Sequence, residues 1–194
     1  MKLLSAAAVA LFATAPAFAS TAFLVDFEQN WAYGDAVDNT YAASGVTFTN
    51  VLGLSNDADF SYYSGAPSVL GTAFAQLDGV LNTAAFMNVA GGVDSALSFY
   101  YSSPSDVVGA VKAYAGLNGS GALLGSFDLT ATDAAYGVWA PVTFSFSGTA
   151  LSFDLSGSAN VVGLDNISAV PETGTALMLL AGAGMLLATR RRKG

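Results

Sequence analysis

Cysteine and histidine are absent from this 194-residue chain, and only 10% of its residues are charged, against about 25% in ordinary soluble domains. Without a thiol or an imidazole there is no Ser-His-Asp or Cys-His nucleophilic constellation, no His/Cys zinc site and no disulfide framework. Cations are scarce too: six Lys and Arg face 14 Asp and Glu, for a formal charge of −8. Nucleic-acid binding needs clustered Lys and Arg to neutralise phosphates, so no nucleic-acid partner is expected. What remains is carboxylates, amides, aromatic rings and a hydrophobic fraction of 53%.

The apolar and basic residues are concentrated at the two ends. Lys2 precedes an apolar run from Leu3 to Ala15, Pro16 breaks it, and Ala17-Phe18-Ala19 puts small residues at the −3 and −1 positions. This is the pattern of a secretory signal peptide, residues 1–19, with cleavage between Ala19 and Ser20. An uncleaved anchor is the alternative, although the run is short for a membrane span. At the other end, Thr173 to Thr189 is a stretch of 17 uncharged residues followed by Arg190, Arg191, Arg192 and Lys193. Its length is at the lower edge for a transmembrane helix, and the four cations after it would stay cytoplasmic and stop transfer. A buried core helix is the other reading, but the stretch has no polar face.

Immediately before this span stand Val170, Pro171, Glu172 and Thr173. A short motif, an apolar helix and a basic end together resemble the PEP-CTERM sorting signal of Gram-negative bacteria (residues 171–194). That resemblance implies processing by a membrane-embedded exosortase-type transpeptidase in a species that makes exopolysaccharide. It also implies a transient anchor in the inner membrane, then delivery to the cell surface or an extracellular biofilm matrix, with extracellular polysaccharide as a partner. Val170, Pro171 and Glu172 match the usual Val-Pro-Glu-Pro; Thr173 replaces the second proline. Pro171 to Gly174 also resembles the sortase motif Leu-Pro-x-Thr-Gly, so a sortase-anchored cell-wall protein is an alternative.

Residues 20–170 form the remaining domain, with 13 acidic residues against Lys112 alone, a formal charge of −12. Such a domain repels anionic polymers and attracts divalent cations or basic partners. It reads as all-β, an antiparallel sandwich, because apolar and polar residues alternate and Gly, Ser, Asn and Asp recur about every ten residues. Strands are expected at Ala22–Glu28, Gly45–Leu52, Ala84–Val89, Ala96–Tyr101, Val108–Ala115, Leu123–Thr130 and Val161–Val170. Pro141–Ser147 and Ala150–Ser156 are expected to form a hairpin about a Ser147-Gly148-Thr149 turn. The full expectation is a β-sandwich flanked by an N-terminal signal helix and a C-terminal transmembrane helix.

The opening Val25 to Glu28 and closing Gly163 to Ile167 segments resemble those of jelly-roll, lectin-like ectodomains. The resemblance implies that first and last strands lie close and that a structural Ca²⁺ bridges them. Asp26 and Glu28 are two apart, so in a strand both carboxylates share a face while Phe23, Val25 and Phe27 fill the other. Two like charges there favour a hard cation with oxygen ligands; Asp165 and Asn166 would complete its shell. Two solvated acids on an exposed face is the simpler alternative. Asn56 to Asp59, Asp35 and Asp38 read as ordinary turns, since no EF-hand glycine and distal glutamate accompany them.

No catalytic residues are expected. Serine nucleophiles have no base, Lys112 stands alone in an alternating strand, and Glu28 is the only glutamate in the domain. Sugar binding is the alternative role, because amphipathic rings stack on pyranose faces. Trp31, Tyr33, Tyr62 and Tyr63 fall in expected loops and are the candidate platforms. Of the adjacent Tyr100 and Tyr101, one must point inward.

Overall fold

The computed structural model describes residues 22–32, 34–55, 65–68 and 70–169. The signal peptide, the sorting motif, the apolar C-terminal stretch, the Asn56–Asp59 loop and Tyr33, Tyr62 and Tyr63 lie outside them. Among the described residues no helix is long and apolar enough to cross a membrane.

Among the described residues, nine antiparallel strands make one continuous sheet. They are β1 (Phe23–Val25), β2 (Val46–Thr49), β3 (Val51–Ser55), β4 (Gly71–Ala75), β5 (Phe86–Ser102), β6 (Val107–Tyr114), β7 (Leu123–Leu129), β8 (Ala140–Asp154) and β9 (Gly163–Ala169). The order is β3-β4-β9-β5-β8-β6-β7, with β1 added on β9 and β2 on β5. The all-β, antiparallel expectation therefore holds, and short 3-10 turns at Ala42–Ser44 and Ser156–Ser158 are the remaining regular elements among the described residues.

Two very long strands organise the sheet. β5 has 17 residues and β8 has 15, and they pair along their lengths. The ladder is interrupted between Asn88 and Val93, and again between Asp94 and Ala96. At these bulges the ribbon doubles over. Phe144 and Phe153 are nine positions apart in β8, yet their ring centroids are 6.5 Å apart, where an extended strand would separate them by about 30 Å. Met87 likewise meets Leu97 and Phe99 of its own strand around a small apolar void shared with Val111, Leu164 and Ile167. One half of the ribbon carries β2 and β6; the other carries β9, β4 and β1. The single sheet thus becomes two facing layers.

The fold-back requires unusual backbone. Gly92 at φ +72° and Gly148 at φ +97° sit in the corner, in the left-handed region that a side chain disfavours. The Thr149 hydroxyl donates to the Asp94 carboxylate at 2.5 Å across it. Between the layers lie Val25, Phe27, Val46, Val51, Met87, Val89, Leu97, Phe144, Phe153 and Leu164, each at 1% exposure or less. Phe144 also packs on Phe127 and Phe146 at 5.4 Å centroid distance.

Several sequence expectations change. The predicted hairpin at Pro141–Ser156 does not form: both halves belong to β8 and pair with β5, so Ser147-Gly148-Thr149 is a bulge that changes layer and not a reversal. Ala84–Val89 and Ala96–Tyr101 fuse into β5 for the same reason. Gly45–Leu52 divides into β2 and β3 at Asn50, whose φ is +53°. β4, Gly71–Ala75, was not anticipated; Gly71, Ala73 and Ala75 dilute the strand preference of Thr72 and Phe74, and the segment is held between β3 and β9. Tyr101 is buried and Tyr100 half-buried, in keeping with their alternation.

A β-carbon on Gly92 would come within 2.5 Å of the Thr149 methyl. Gly92→Ala should therefore cost about 2 kcal/mol, combining that clash with the left-handed φ. Urea unfolding checks this; a loss under about 0.5 kcal/mol would show that the corner does not constrain the fold.

Candidate functional site

β1 and β9 bring the two ends of the domain together, with Phe23 opposite Ala169 and Val25 opposite Ile167. Phe23, Val25 and Phe27 face the core and are buried, while Asp26 and Glu28 are half-buried on the other side. The strand stops at Val25, however, and Phe27 has φ +53°. Asp26 and Glu28 are therefore brought together by a local turn and not by strand pleating. The Glu28 N–H donates to Asp26 Oδ1 at 3.3 Å.

Ser68 ties this turn to β9. Its hydroxyl donates to the Asp26 carbonyl at 2.6 Å, and its N–H donates to Asp165 Oδ2 at 2.8 Å. The same hydroxyl lies 3.4 Å from Asn166 Oδ1. The other Asp165 oxygen accepts the Asn166 N–H at 2.7 Å. Glu28 reaches the same segment, accepting the Leu70 N–H at 3.1 Å. Asp26, Glu28, Asp165 and Asn166 thus converge on Ser68 and Leu70, which sequence reasoning did not single out: nothing distinguishes Ser68 from any other loop serine.

Asp165 is completely buried. Burial raises its carboxyl to about 6, opposed by the donors from Ser68 and Asn166 and reinforced by the negative charge of Glu28. Tyr41 covers the other flank. Its hydroxyl donates to Asp26 Oδ1 at 3.3 Å and is raised to about 12, chiefly by burial and then by the Asp26 charge.

Thr72 adds an unusual feature. Ala73 of β4 lies opposite Leu164 of β9, so Thr72 falls beside Asp165 in the antiparallel register. Its Oγ1 is buried and has no hydrogen-bond partner, a condition that costs about 1–3 kcal/mol. Among the described residues no group of three or more His, Cys, Asp and Glu is gathered as a metal shell. The oxygens here come instead from carboxylate, amide, hydroxyl and carbonyl groups, a mixture that suits a hard cation. These are oxygen groups of the type that hard cations take, and the Thr72 hydroxyl beside them has no hydrogen-bond partner.

Trp31 serves the fold. Its indole N–H donates to the Phe27 carbonyl at 2.9 Å, and its own N–H donates to Ser55 Oγ at 2.6 Å. The ring lies over Gly53 and Gly71, where β-carbons would fall 2.1 Å and 2.9 Å from it. Trp31 as a whole is half-buried. Asp35 accepts the Ala32 N–H at 2.8 Å, as a turn residue does.

No protein-family model matches the chain, and no curated protein matches it. Among solved structures, the K2 cleaved adhesin domain of Lys-gingipain is 18% identical with a TM-score of 0.47, covering 77% of this chain and 99% of its own. The K1 cleaved adhesin domain of Lys-gingipain from Porphyromonas gingivalis is 14% identical with a TM-score of 0.48, covering 78% and 99%. An isomalto-dextranase from Arthrobacter globiformis, complexed with panose, is 12% identical with a TM-score of 0.41, covering 64% of this chain and 23% of its own.

A carboxyl raised to about 6 in the fold binds its proton more tightly there than in the unfolded chain. Its stabilising contribution is complete below about pH 4 and is lost as the pH rises through 6, amounting to up to about 3 kcal/mol. In calcium-free buffer, Asp165→Asn should remove this component, leaving the variant less sensitive to pH between 4.5 and 7.5 than the parent. Thermal melts at both pH values check it; identical pH responses would contradict the burial of an ionisable Asp165.

Proposed function

We propose that the chain is an exported surface or extracellular-matrix protein, sorted and processed through a PEP-CTERM-type C-terminal signal and associated with exopolysaccharide or biofilm. The observation that carries this reading is the tripartite end of the sequence: Val170-Pro171-Glu172, the uncharged stretch to Thr189, and Arg190 to Lys193. A signal peptide cleaved before Ser20 supplies the export route. The exosortase-type transpeptidase and the inner membrane are transient partners in a Gram-negative host. In this reading the ectodomain is non-catalytic and does not bind nucleic acid.

The pairing of Phe23 with Ala169 supports the arrangement. Both chain ends leave the domain from one edge, so a C-terminal anchor would hold that edge towards the membrane and turn the far end outward. The ectodomain is taken as a lectin-like jelly roll stabilised by Ca²⁺, with Asp26, Glu28, Asp165 and Asn166 as the principal ligands and Ser68 and Thr72 beside them. A carbohydrate-binding role is the second reading, favoured by a cleft that Phe74 and Tyr136 line.

Mass spectrometry of the mature protein tests the sorting route. Loss of the Arg190–Lys193 tail with a new end beside Pro171-Glu172 is expected. A cut between Thr173 and Gly174 would favour sortase anchoring, and an intact tail would sink processing altogether. Calcium should raise the melting temperature by several degrees at pH 7.5, reversed by EDTA, with a smaller gain at pH 5 where Asp165 is protonated. A melting curve indifferent to both additions at pH 7.5 would remove Ca²⁺ from the site.

A further inference from the structure

The far end of the domain, away from the paired Phe23 and Ala169, carries a cleft of about 240 Å³ lined by Phe74, Gln76, Tyr136, Asn160, Val161 and Val162. It arises from the register. Phe74 of β4 lies opposite Gly163 of β9, which has no side chain to cover the outer surface beside it. The segment between β7 and β8 then crosses nearby and delivers Tyr136.

Tyr136 is held there against its backbone preference. Its φ is +57°, a left-handed conformation that costs an aromatic residue about 1–2 kcal/mol. Three bonds fix it: its N–H donates to the Asp133 carbonyl at 3.2 Å, the following Gly137 N–H donates to Asp133 Oδ2 at 2.9 Å, and its hydroxyl donates to the Val161 carbonyl at 2.8 Å. Asn160 is also left-handed, at φ +62°, and grips the backbone of Leu77 with both ends of its amide, at 3.2 Å and 2.8 Å. The walls are therefore preorganised. Gln76 is exposed and its side-chain amide makes no hydrogen bond among the described residues, leaving a donor and an acceptor at the rim.

Among the described residues the lining contains no Asp, Glu, Lys or Arg, although the domain around it carries 13 acids and a single lysine. Two aromatic rings, one free amide and no charge are the chemistry of a neutral, polyhydroxylated ring compound: apolar C–H faces pack on the aromatic walls, and hydroxyls bond the amide. The volume is below the roughly 300 Å³ at which drug-sized pockets begin, which suits one ring-sized unit at a time. The surrounding negative field disfavours uronic or sulfated sugars. We infer that this cleft is a subsite for a single uncharged sugar residue of an extracellular polysaccharide. The inference rests on the carbohydrate-binding reading of the domain and moves it from Trp31 to the Phe74–Tyr136 cleft.

The test uses the full-length chain in detergent on a glycan array that includes neutral hexose oligomers and uronic-acid oligomers. Binding to neutral glycans is expected, with little on the acidic ones. Gln76→Ala should weaken it about tenfold, and Phe74→Ala by more. Since Phe74 is half-buried, Gln76→Ala is the decisive variant: Gln76 is exposed, and its melting temperature should match the parent's. Neutral-glycan binding that both variants retain would overturn the cleft and leave a carbohydrate-binding domain. Preference for acidic glycans would overturn the neutral-ligand assignment, and no binding by the parent would overturn the carbohydrate reading itself. None of these outcomes touches the sorting route, which the mature C-terminus reports.

Discussion

The architecture depends on one constraint: the β5–β8 ribbon must double over. Seventeen and fifteen residues of paired strand form a single ladder too long for one layer of a domain this size. The apolar faces of its two halves can be buried only against each other. Everything else follows from where the ribbon bends. Gly92 and Gly148 accept the left-handed backbone of the corner, the two bulges reset which residues face inward, and Phe144 meets Phe153 across the layers. β2 and β6 then extend one half, and β9 extends the other.

That bend also explains where the chain ends fall. β9 adds to the returning half of β5, and β1 adds to β9, so the first and last strands share an edge. The polar cluster at this edge is clasped by Ser68, hydrogen-bonded to both the Asp26 carbonyl and the buried Asp165 carboxylate. This edge gathers a buried carboxylate, a second acid nearby and a threonine hydroxyl without a hydrogen-bond partner. Protonation of Asp165 relieves the charge.

The aromatic residues divide between architecture and surface in a way residue type does not reveal. Trp31 has the indole expected of a sugar platform, but the glycines at 53 and 71 leave a slot on the sheet that it fills. Tyr136 was one ring among several in the sequence. Its place beside Phe74 comes from a loop crossing a strand pair in which Gly163 leaves the surface bare. The absence of charge among the described residues that line that cleft, in a domain of charge −12, is likewise a property of assembly.

Period-two alternation was enough to identify an all-β antiparallel domain and the buried faces of Phe23, Val25, Phe144 and Phe153, because pleating ties burial directly to sequence parity. The pairing of opening and closing segments around Asp26, Glu28, Asp165 and Asn166 was legible through their resemblance to jelly-roll ends. Alternation is blind, however, to whether a glycine reverses a strand or merely bends it. The Ser147-Gly148-Thr149 segment looks like a hairpin turn locally and acts as a bulge because β5 pairs with both of its flanks. β4 was hard to see for a related reason: Gly71, Ala73 and Ala75 dilute the strand preference of Thr72 and Phe74, and pairing with β3 and β9 holds the segment extended. Composition and local periodicity by themselves determined the class of fold and the missing chemistries, since those depend on residue type and near-neighbour order. The layer crossing, the Ser68 clasp, the burial of Asp165 and the Tyr136 cleft were decided only by tertiary structure, because each depends on residues brought together from distant parts of the chain.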